Sequence, residues 1–412
     1  MATARASLGA PAQRAKPAPK AARLWWQVHQ WVGLKLSLFM AFILFTGTLA
    51  VVSQEIDWLA QPAFRVSPSS VEGPVAWPQI AENAAAYPGV SAVSIIEAPP
   101  ASAFAARVSV TFDDERAGFL YAHPSTGDIQ GTGPWAGAAR VLRNLHRHLN
   151  LPTKIGVPIV ASLAILLLIS LVSSFVVYKR WWRGFAKPLR RRDARTWWGD
   201  FHRLSGVWSL WFVALISLTG IWYLAESLGL DAPPQSRFEA AADGPPLAEG
   251  SLATAFAAGI AAQPGLRIEA AMLPDADNPM LELQGQYEAM LVRPRANAVW
   301  VDVRDNRVKL ITDGRDLTVH QRISEMADPL HFGTFGGYWT KALWFLFGLL
   351  LTGLSLSGAA IYSLRIARER GTAPRLSTAF AGMWTGAGRW RWLSIGLIGT
   401  GLVMIGYLVV SG

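Results

Sequence analysis

The sequence predicts a membrane protein built as an all-α bundle, with a four-helix duplicated core plus a fifth helix. Two small α+β extracytoplasmic domains complete the predicted fold. Of the 412 residues, 51% are hydrophobic and only 16% are charged, and the mean hydropathy is positive. Apolar stretches long enough to cross about 30 Å of hydrocarbon, at roughly 20 residues each, occur five times. The same motifs also occur in both halves of the chain, which indicates a duplication.

The apolar stretches alternate with two long intervals, at about residues 60–145 and 230–330, that are polar enough to fold in water. The predicted spans are residues 32–52, 155–178, 204–224, 342–362 and 392–410. The last span has no repeat partner and contains no histidine, acid or base. We interpret it as an accessory packing helix, in which Gly396, Gly399 and Gly401 favour close helix contact rather than nucleotide binding.

Basic residues mark the predicted cytoplasmic side. Lysines and arginines without acids precede the first span, and the connections after the second and fourth spans are strongly basic. Both long polar intervals instead carry more acid than base. The positive-inside rule then predicts a cytoplasmic N-terminus and periplasmic polar domains. The net charge of +10 is explained by this anchoring, so no nucleic acid is expected as a partner.

The first 24 residues are rich in Ala and Pro and predict a disordered tail. An uncleaved first helix is favoured over a cleaved signal peptide, because the span exceeds a usual signal core and lacks a clear cleavage site. The absence of cysteine excludes disulfides, zinc–thiolate sites, iron–sulfur clusters and a thiol nucleophile.

Each polar interval predicts one helix followed by strands separated by Pro, Asp and Gly turns. The first predicts a helix over 77–87 and strands over 92–97, 106–112 and 118–123. The second predicts a helix over 252–262 and strands over 265–272, 280–284, 288–293 and 298–303. The complete predicted division is a tail (1–24), a span (25–59), a domain (60–144), a span (145–179), a basic loop (180–200), a span (201–226), a domain (227–329), a span (330–363), a loop (364–391) and a final span (392–412).

The repeated motifs place a histidine at the start of four membrane helices. His29-Gln-Trp-Val-Gly33 and His202-Arg-Leu-Ser-Gly206 precede the first and third spans, and Leu145-His146 and Leu330-His331 precede the second and fourth. Histidine is costly near a bilayer and needs a function there. If a pseudo-two-fold axis relates the halves, each pair lies at one depth on facing helices. Haem iron takes two axial imidazoles from opposite sides, so the sequence predicts two haem sites.

The simpler interpretation of any single interfacial histidine is a hydrogen-bonded side chain, and only the repeat favours iron ligation. His148 is the alternative to His146, because two residues along a helix rotate a side chain by roughly 200°. His123 precedes Pro124 and predicts a turn residue, whereas His320 predicts a surface residue.

Arg147 and Arg203 each directly follow a candidate ligand. A guanidinium pairs well with an anionic haem propionate, and interfacial snorkelling is the alternative for both residues. Thr46-Gly47 and Thr219-Gly220 recur at equal depth in the two halves. Their small size allows either close helix approach or space for a macrocycle.

Several of these segments resemble the PepSY-associated transmembrane family. They are His29-Gln-Trp-Val-Gly-Leu, Leu145-His-Arg, His202-Arg-Leu-Ser-Gly-Val-Trp, Leu330-His-Phe-Gly-Thr-Phe-Gly-Gly337 and, in the first polar domain, Gly118-Phe-Leu-Tyr-Ala-His-Pro-Ser-Thr-Gly-Asp. The resemblance covers about residues 24–365. Members include bacterial inner-membrane proteins that reduce iron–siderophore complexes, so the resemblance implies haem b and this activity.

The expected function is therefore a reductase with two haem b groups that passes electrons across the inner membrane to ferric siderophores in the periplasm, releasing ferrous iron. Two imidazoles on each iron would leave no open coordination position, so reduction is expected to be outer-sphere. No Rossmann, flavin or P-loop signature occurs in the sequence. The expected electron donor is thus separate, either a quinol or a cytosolic reductase.

Three alternatives stay open. The chain could be a siderophore permease or docking protein without redox chemistry, or a regulatory membrane protein whose polar domains restrain a partner. It could also be a cytochrome b that reduces another acceptor, such as a sulfoxide or a quinone.

Overall fold

The computed structural model describes residues 20–238, 251–369, 371 and 376–410 of this multi-pass membrane protein. Helices form the apolar part and strands form one sheet beside it. The helices are α1 (Lys20–Lys35), α2 (Ser37–Val51), α3 (Ser53–Ala60), α4 (Trp77–Ala85), α5 (Ala138–His148), α6 (Thr153–Ala161), α7 (Leu163–Val177), α8 (Ala194–Trp208), α9 (Leu210–Ala225), α10 (Ser251–Ala262), α11 (Val319–Phe332), α12 (Gly337–Glu369), α13 (Leu376–Ala387) and α14 (Trp390–Val410). The strands are β1 (Val90–Glu97), β2 (Ala106–Phe112), β3 (Ala117–Ala122), β4 (Ile129–Pro134), β5 (Arg267–Met272), β6 (Met280–Gln286), β7 (Ala298–Asp302) and β8 (Arg307–Thr312).

Four described helical segments are long and apolar enough to cross a membrane, and a bent pair provides a fifth candidate. The four are Thr153–Val177, Leu210–Leu230, Gly337–Glu369 and Trp390–Val410. The bent pair joins Arg23–Lys35 to Ser37–Val51 at an angle of 66°. All five predicted spans therefore coincide with apolar helices. The predicted disordered tail lies outside the described residues except at 20–24, where α1 is already helical.

The helices of the two halves follow the same order. Both α1–α2 and α8–α9 are interrupted once, at Leu36 and at Ser209. A shorter helix, α5 or α11, then precedes the next apolar helix in each half. The sequence placed His146 at the start of a span, but α5 ends two residues later, where Leu149 and Asn150 take left-handed backbone with φ near 55°. Pro152 follows as the N-cap of α6, so α5 is separate from the span.

The strands form one antiparallel sheet in the order β4-β3-β2-β1-β5-β6-β7-β8. This corrects the prediction of two separate α+β domains. Strands β1 and β5 pair through Ile95 with Met272 and Ile96 with Ala271. Pairing covers the edge that each half would otherwise expose. The helices α4 and α10 contribute Ile80 and Phe256 to one core shared by both halves of the sheet.

One predicted strand is not a strand in the structure, and two strands of the structure were not predicted. Residues 288–293 are not a strand, because Leu291 has φ of 55° and Pro294 begins a short 3₁₀ turn. The edge strands β4 and β8 were not predicted. Strand β4 contains Gly131 and Gly133, which have low strand propensity, and β8 follows the turn at Asn306 with an exposed, partly charged pattern.

Candidate functional site

The structure brings together both histidine pairs that the repeat predicted. His29 of α1 faces His202 of α8, with ring centroids 6.3 Å apart and ring planes at 81°. His146 of α5 faces His331 of α11, with centroids 6.0 Å apart and planes at 37°. We call the first the loop-side pair, because α8 contacts the basic loop, and the second the sheet-side pair, because α5 directly follows β4.

Serine hydroxyls hold the loop-side pair. The Nδ1 atom of His29 lies 2.9 Å from Oγ of Ser173, and Nδ1 of His202 lies 2.9 Å from Oγ of Ser357. Each hydroxyl donates its single proton to a carbonyl of its own helix, at Ser170 or at Leu354. With the hydroxyl protons assigned to these carbonyls, each serine accepts a hydrogen bond from histidine, and this assignment places the imidazole proton on Nδ1.

The sheet-side pair has the same protonation pattern with different anchors. The Nδ1–H of His146 donates to the carbonyl of Ile43 at 2.9 Å, since a carbonyl can only accept. His331 Nδ1 lies 2.8 Å from Oγ1 of Thr219, whose proton goes to the carbonyl of Leu215. All four imidazoles thus present an unprotonated Nε2. In the described part of the chain no hydrogen bond reaches these four Nε2 atoms.

Two imidazoles anchored in this way would be able to hold one iron between them. A histidine ligand characteristically donates its second ring N–H to a fixed acceptor, which sets the tautomer and the ring orientation. Metal–nitrogen bonds of about 2.0 Å, with roughly 1.2 Å from each nitrogen to its ring centre, place two such rings about 6.4 Å apart. The observed separations are 6.3 Å and 6.0 Å. Among the described residues, no three His, Cys, Asp or Glu side chains converge on a metal site, so each pair stands alone.

The two sites lie at different levels of the bundle. On α12, Ser357 holds His202, whereas the Trp344 indole donates to the backbone carbonyl of His331 at 3.1 Å. The helix between Trp344 and Ser357 rises about 20 Å. The backbone of His331 and the anchor of His202 therefore contact α12 at points about 20 Å apart.

The two small-residue motifs serve different purposes. A Cβ on Gly47 would lie 2.5 Å from Cε1 of His146, so the imidazole itself requires this glycine. A Cβ on Gly220 would instead lie 2.7 Å from the Ala164 side chain of α7. Gly47 thus makes room for a site residue, and Gly220 allows close helix packing.

His146, rather than the alternative His148, faces His331. His148 is buried near the end of α5, and its Nδ1 atom has no hydrogen-bond partner in the described part of the chain. His123 lies in a turn as predicted, accepting a hydrogen bond from the Thr126 amide. His320, predicted as a surface residue, is half-buried: its ring packs edge-on against Trp222, and its Nε2 lies 3.2 Å from the Leu230 carbonyl.

The two candidate propionate partners differ. Arg203 donates to the carbonyls of Gly184 and Lys187 at 2.7 Å and 3.0 Å, and it lies 3.7 Å from the Asp200 carboxylate. Its guanidinium therefore holds the basic loop against α8, and the predicted propionate role stays a prediction. Arg147 is exposed and makes no hydrogen bond or ion pair with any residue that the structure describes.

Other side chains fix the helices that carry the sheet-side pair. The buried Asp57 carboxylate accepts from the amides of Ala138 and Ala139 at 2.6 Å and 3.0 Å, which caps α5. On α11, Glu325 pairs with Arg293 at 2.8 Å and with Arg295 at 3.0 Å. Burial alone would raise the pKa of Glu325, but these two arginines outweigh it and lower the pKa. The Asp57 contacts thus join α5 to α3, and the Glu325 ion pairs join α11 to the segment that carries Arg293 and Arg295.

Sequence reasoning missed the anchors Ser173, Ser357, Ile43 and Asp57, and it assigned Thr219 either to helix packing or to leaving space for a macrocycle. Hydroxyl residues within the second and fourth spans were the available signal for the serines. A backbone carbonyl such as that of Ile43 carries no signal in the sequence.

Comparison with known protein families finds a match over most of the chain. A family model described as PepSY-associated TM region matches residues 26–365, which include both histidine pairs and the whole sheet. No curated protein matches the chain.

Proposed function

The chain belongs to the PepSY-associated TM family, and we propose that it is a di-haem reductase of a bacterial inner membrane. In this proposal His29 with His202, and His146 with His331, each hold one haem b. Electrons pass across the bilayer to ferric siderophores in the periplasm, and ferrous iron is released. The observation that carries the proposal is the paired, Nδ1-anchored imidazoles at 6.0–6.3 Å.

The residues of the chain hold and orient the cofactor. Haem b, when bound, supplies reversible one-electron chemistry at iron. Ser173 and Ser357 keep the loop-side imidazoles in the ligating tautomer, and the Ile43 carbonyl and Thr219 do so on the sheet side. Anchors of this kind keep a ligand in place when the iron changes charge.

The distribution of charge supports the proposed direction. The loop that Arg203 holds is strongly basic, which favours the cytoplasmic side for the loop-side pair. The sheet then lies in the periplasm beside the other pair. The separate donor, a quinol or a cytosolic reductase, acts at the loop side, and the ferric siderophore acts at the sheet side. Hard oxygen donors bind ferrous iron much more weakly than ferric iron, so one electron releases the metal.

Substitution of the histidines tests the cofactor assignment. We expect His146→Ala and His331→Ala to lose the same haem, and His29→Ala and His202→Ala to lose the other. Visible spectra and haem content of purified protein measure this. His123→Ala is the matched control, because His123 lies in a turn of the sheet. Full haem content in all four variants would contradict the assignment.

A second experiment tests the acceptor. Protein in liposomes, reduced by a quinol, is given a ferric siderophore together with a ferrous-iron trap. The proposal predicts trapped ferrous iron in the wild type and at most about a tenth of that rate in His331→Ala. Rapid reduction of a sulfoxide or quinone but not of the siderophore would favour a general cytochrome b. Siderophore uptake that survives replacement of all four histidines would favour the permease. Capture of a partner protein by cofactor-free protein would favour the regulatory alternative.

A further inference from the structure

Three arginines lie on one face of α5, the helix that carries His146. Arg140, Arg143 and Arg147 are spaced by three and four residues, so their side chains project from the same face. Arg140 packs its guanidinium 3.4 Å from the Trp135 ring, which follows β4. Arg147 directly follows His146. The row therefore runs from the sheet to the level of the sheet-side pair.

The row lacks carboxylate partners. Arg143 and Arg147 are exposed and make no hydrogen bond or ion pair with any described residue. Arg140 donates only to the Trp135 carbonyl, at 3.1 Å. The positive charge of the neighbouring Arg147 acts to lower the pKa of Arg143. Like charges at this spacing repel one another, so an anion that binds between them is stabilised.

Two carboxylates that act electrostatically on Arg143 are already engaged. Glu97 of β1 pairs with Arg107 of β2 at 2.5 Å. Asp328 of α11 lies 3.3 Å from the Arg293 guanidinium. The charges of both carboxylates act to raise the pKa of Arg143. Because these two carboxylates are paired with other arginines, the arginine row of α5 keeps an excess of positive charge.

We propose that Arg140 and Arg143 form the docking surface for the acceptor and select negatively charged ferric chelates, an inference that rests on the proposed function. Guanidinium forks match carboxylates in geometry, and a positive surface raises the local concentration of anions. Trp135, which Arg140 contacts, stacks on Phe119 of β3 with ring centroids 5.2 Å apart. This end of the row therefore belongs to the sheet, where a soluble chelate has access.

Gallium(III) chelates test this surface without redox chemistry, because gallium replaces ferric iron but is not reduced. Full-length protein in detergent is titrated calorimetrically with gallium–EDTA, an anion, and with gallium–desferrioxamine B, a cation. We expect the wild type to bind the anion about tenfold more tightly than the cation. Arg140→Gln/Arg143→Gln should weaken binding of the anion about tenfold. Arg116→Gln is the matched control, since Arg116 is exposed on the same sheet but pairs with Asp114.

Equal affinity of the wild type for the two chelates, or unchanged anion binding in the double variant, would overturn the proposal. Loss of haem from the double variant with unchanged gallium binding would assign the row to porphyrin carboxylates. Displacement of bound gallium chelate by an anionic phospholipid at equal concentration would assign it to lipid headgroups. Gallium binding does not require haem, so a wild type that binds the anion but shows no haem spectrum would contradict the proposed function alone.

Discussion

Gly47→Ala is the substitution whose effect follows most directly from the geometry. The added methyl would lie 2.5 Å from Cε1 of His146, whereas carbon atoms pack at about 3.5 Å or more. The imidazole must therefore move by about 1 Å, which breaks its 2.9 Å hydrogen bond to the Ile43 carbonyl. Overpacking of this kind costs about 1–3 kcal/mol. We expect the sheet-side haem to be lost and the loop-side haem to be kept.

The assay is haem content per chain, measured together with the visible spectrum and the size-exclusion profile of the purified variant. The expected content falls by half while the protein stays monodisperse. Gly33→Ala is the matched control, because a Cβ at Gly33 has no atom within 4 Å and Gly33 belongs to the His29 motif. Full haem content and an unchanged spectrum in Gly47→Ala would refute the reasoning.

Three further predictions follow from the anchors. Ser173→Ala or Ser357→Ala removes the group that accepts the Nδ1–H of a loop-side histidine. Haem titration should then show about 10–100-fold weaker haem binding at the loop-side pair. Unchanged haem affinity would contradict this prediction. Asp57→Ala removes the cap of α5 and should lower stability by about 1–2 kcal/mol in thermal unfolding of the apoprotein; an unchanged midpoint contradicts this. The hydrogen bond from Arg190 lowers the pKa of Asp200 from 3.8 to about 2. The Asp200 carboxylate therefore stabilises the fold above its unfolded pKa, and this stabilisation is lost as the pH falls through about 2. Asp200→Asn should flatten the stability profile between pH 4 and pH 2, and a profile as steep as the wild type would be the contrary result.

The histidine pairs could be predicted because a repeat turns sequence position into spatial position. His29 and His202 occupy equivalent places in α1 and α8, and the same holds for His146 and His331 in α5 and α11. A charged or polar side chain near a bilayer also stands out against an apolar background. Both signals can be read from the sequence and do not depend on how the rest of the fold packs.

The helix that carries His146 could not be separated from the following span in the same way. The break between α5 and α6 depends on left-handed backbone at Leu149 and Asn150, and neither residue is a glycine. The apolar pattern continues across this break, so periodicity alone predicts one helix. Pro152 was the only local signal for a new helix start.

The continuous sheet depends on contacts that the sequence of either half does not contain. Pairing of β1 with β5 joins strands about 175 residues apart, and it is favoured because both would otherwise expose an unpaired edge. The same limit applied to Arg203. Its position after His202 predicted a cofactor contact, but its hydrogen bonds to the carbonyls of Gly184 and Lys187, brought close only by the folded loop, could not be predicted.

The haem content of the wild-type protein tests the central claim most directly. A pyridine haemochromogen assay on protein expressed with a haem supply should give two haem b per chain, with the low-spin spectrum of two imidazole ligands on each iron. Absence of haem, or a high-spin spectrum with an open coordination position, would contradict the assignment of the four histidines as paired iron ligands.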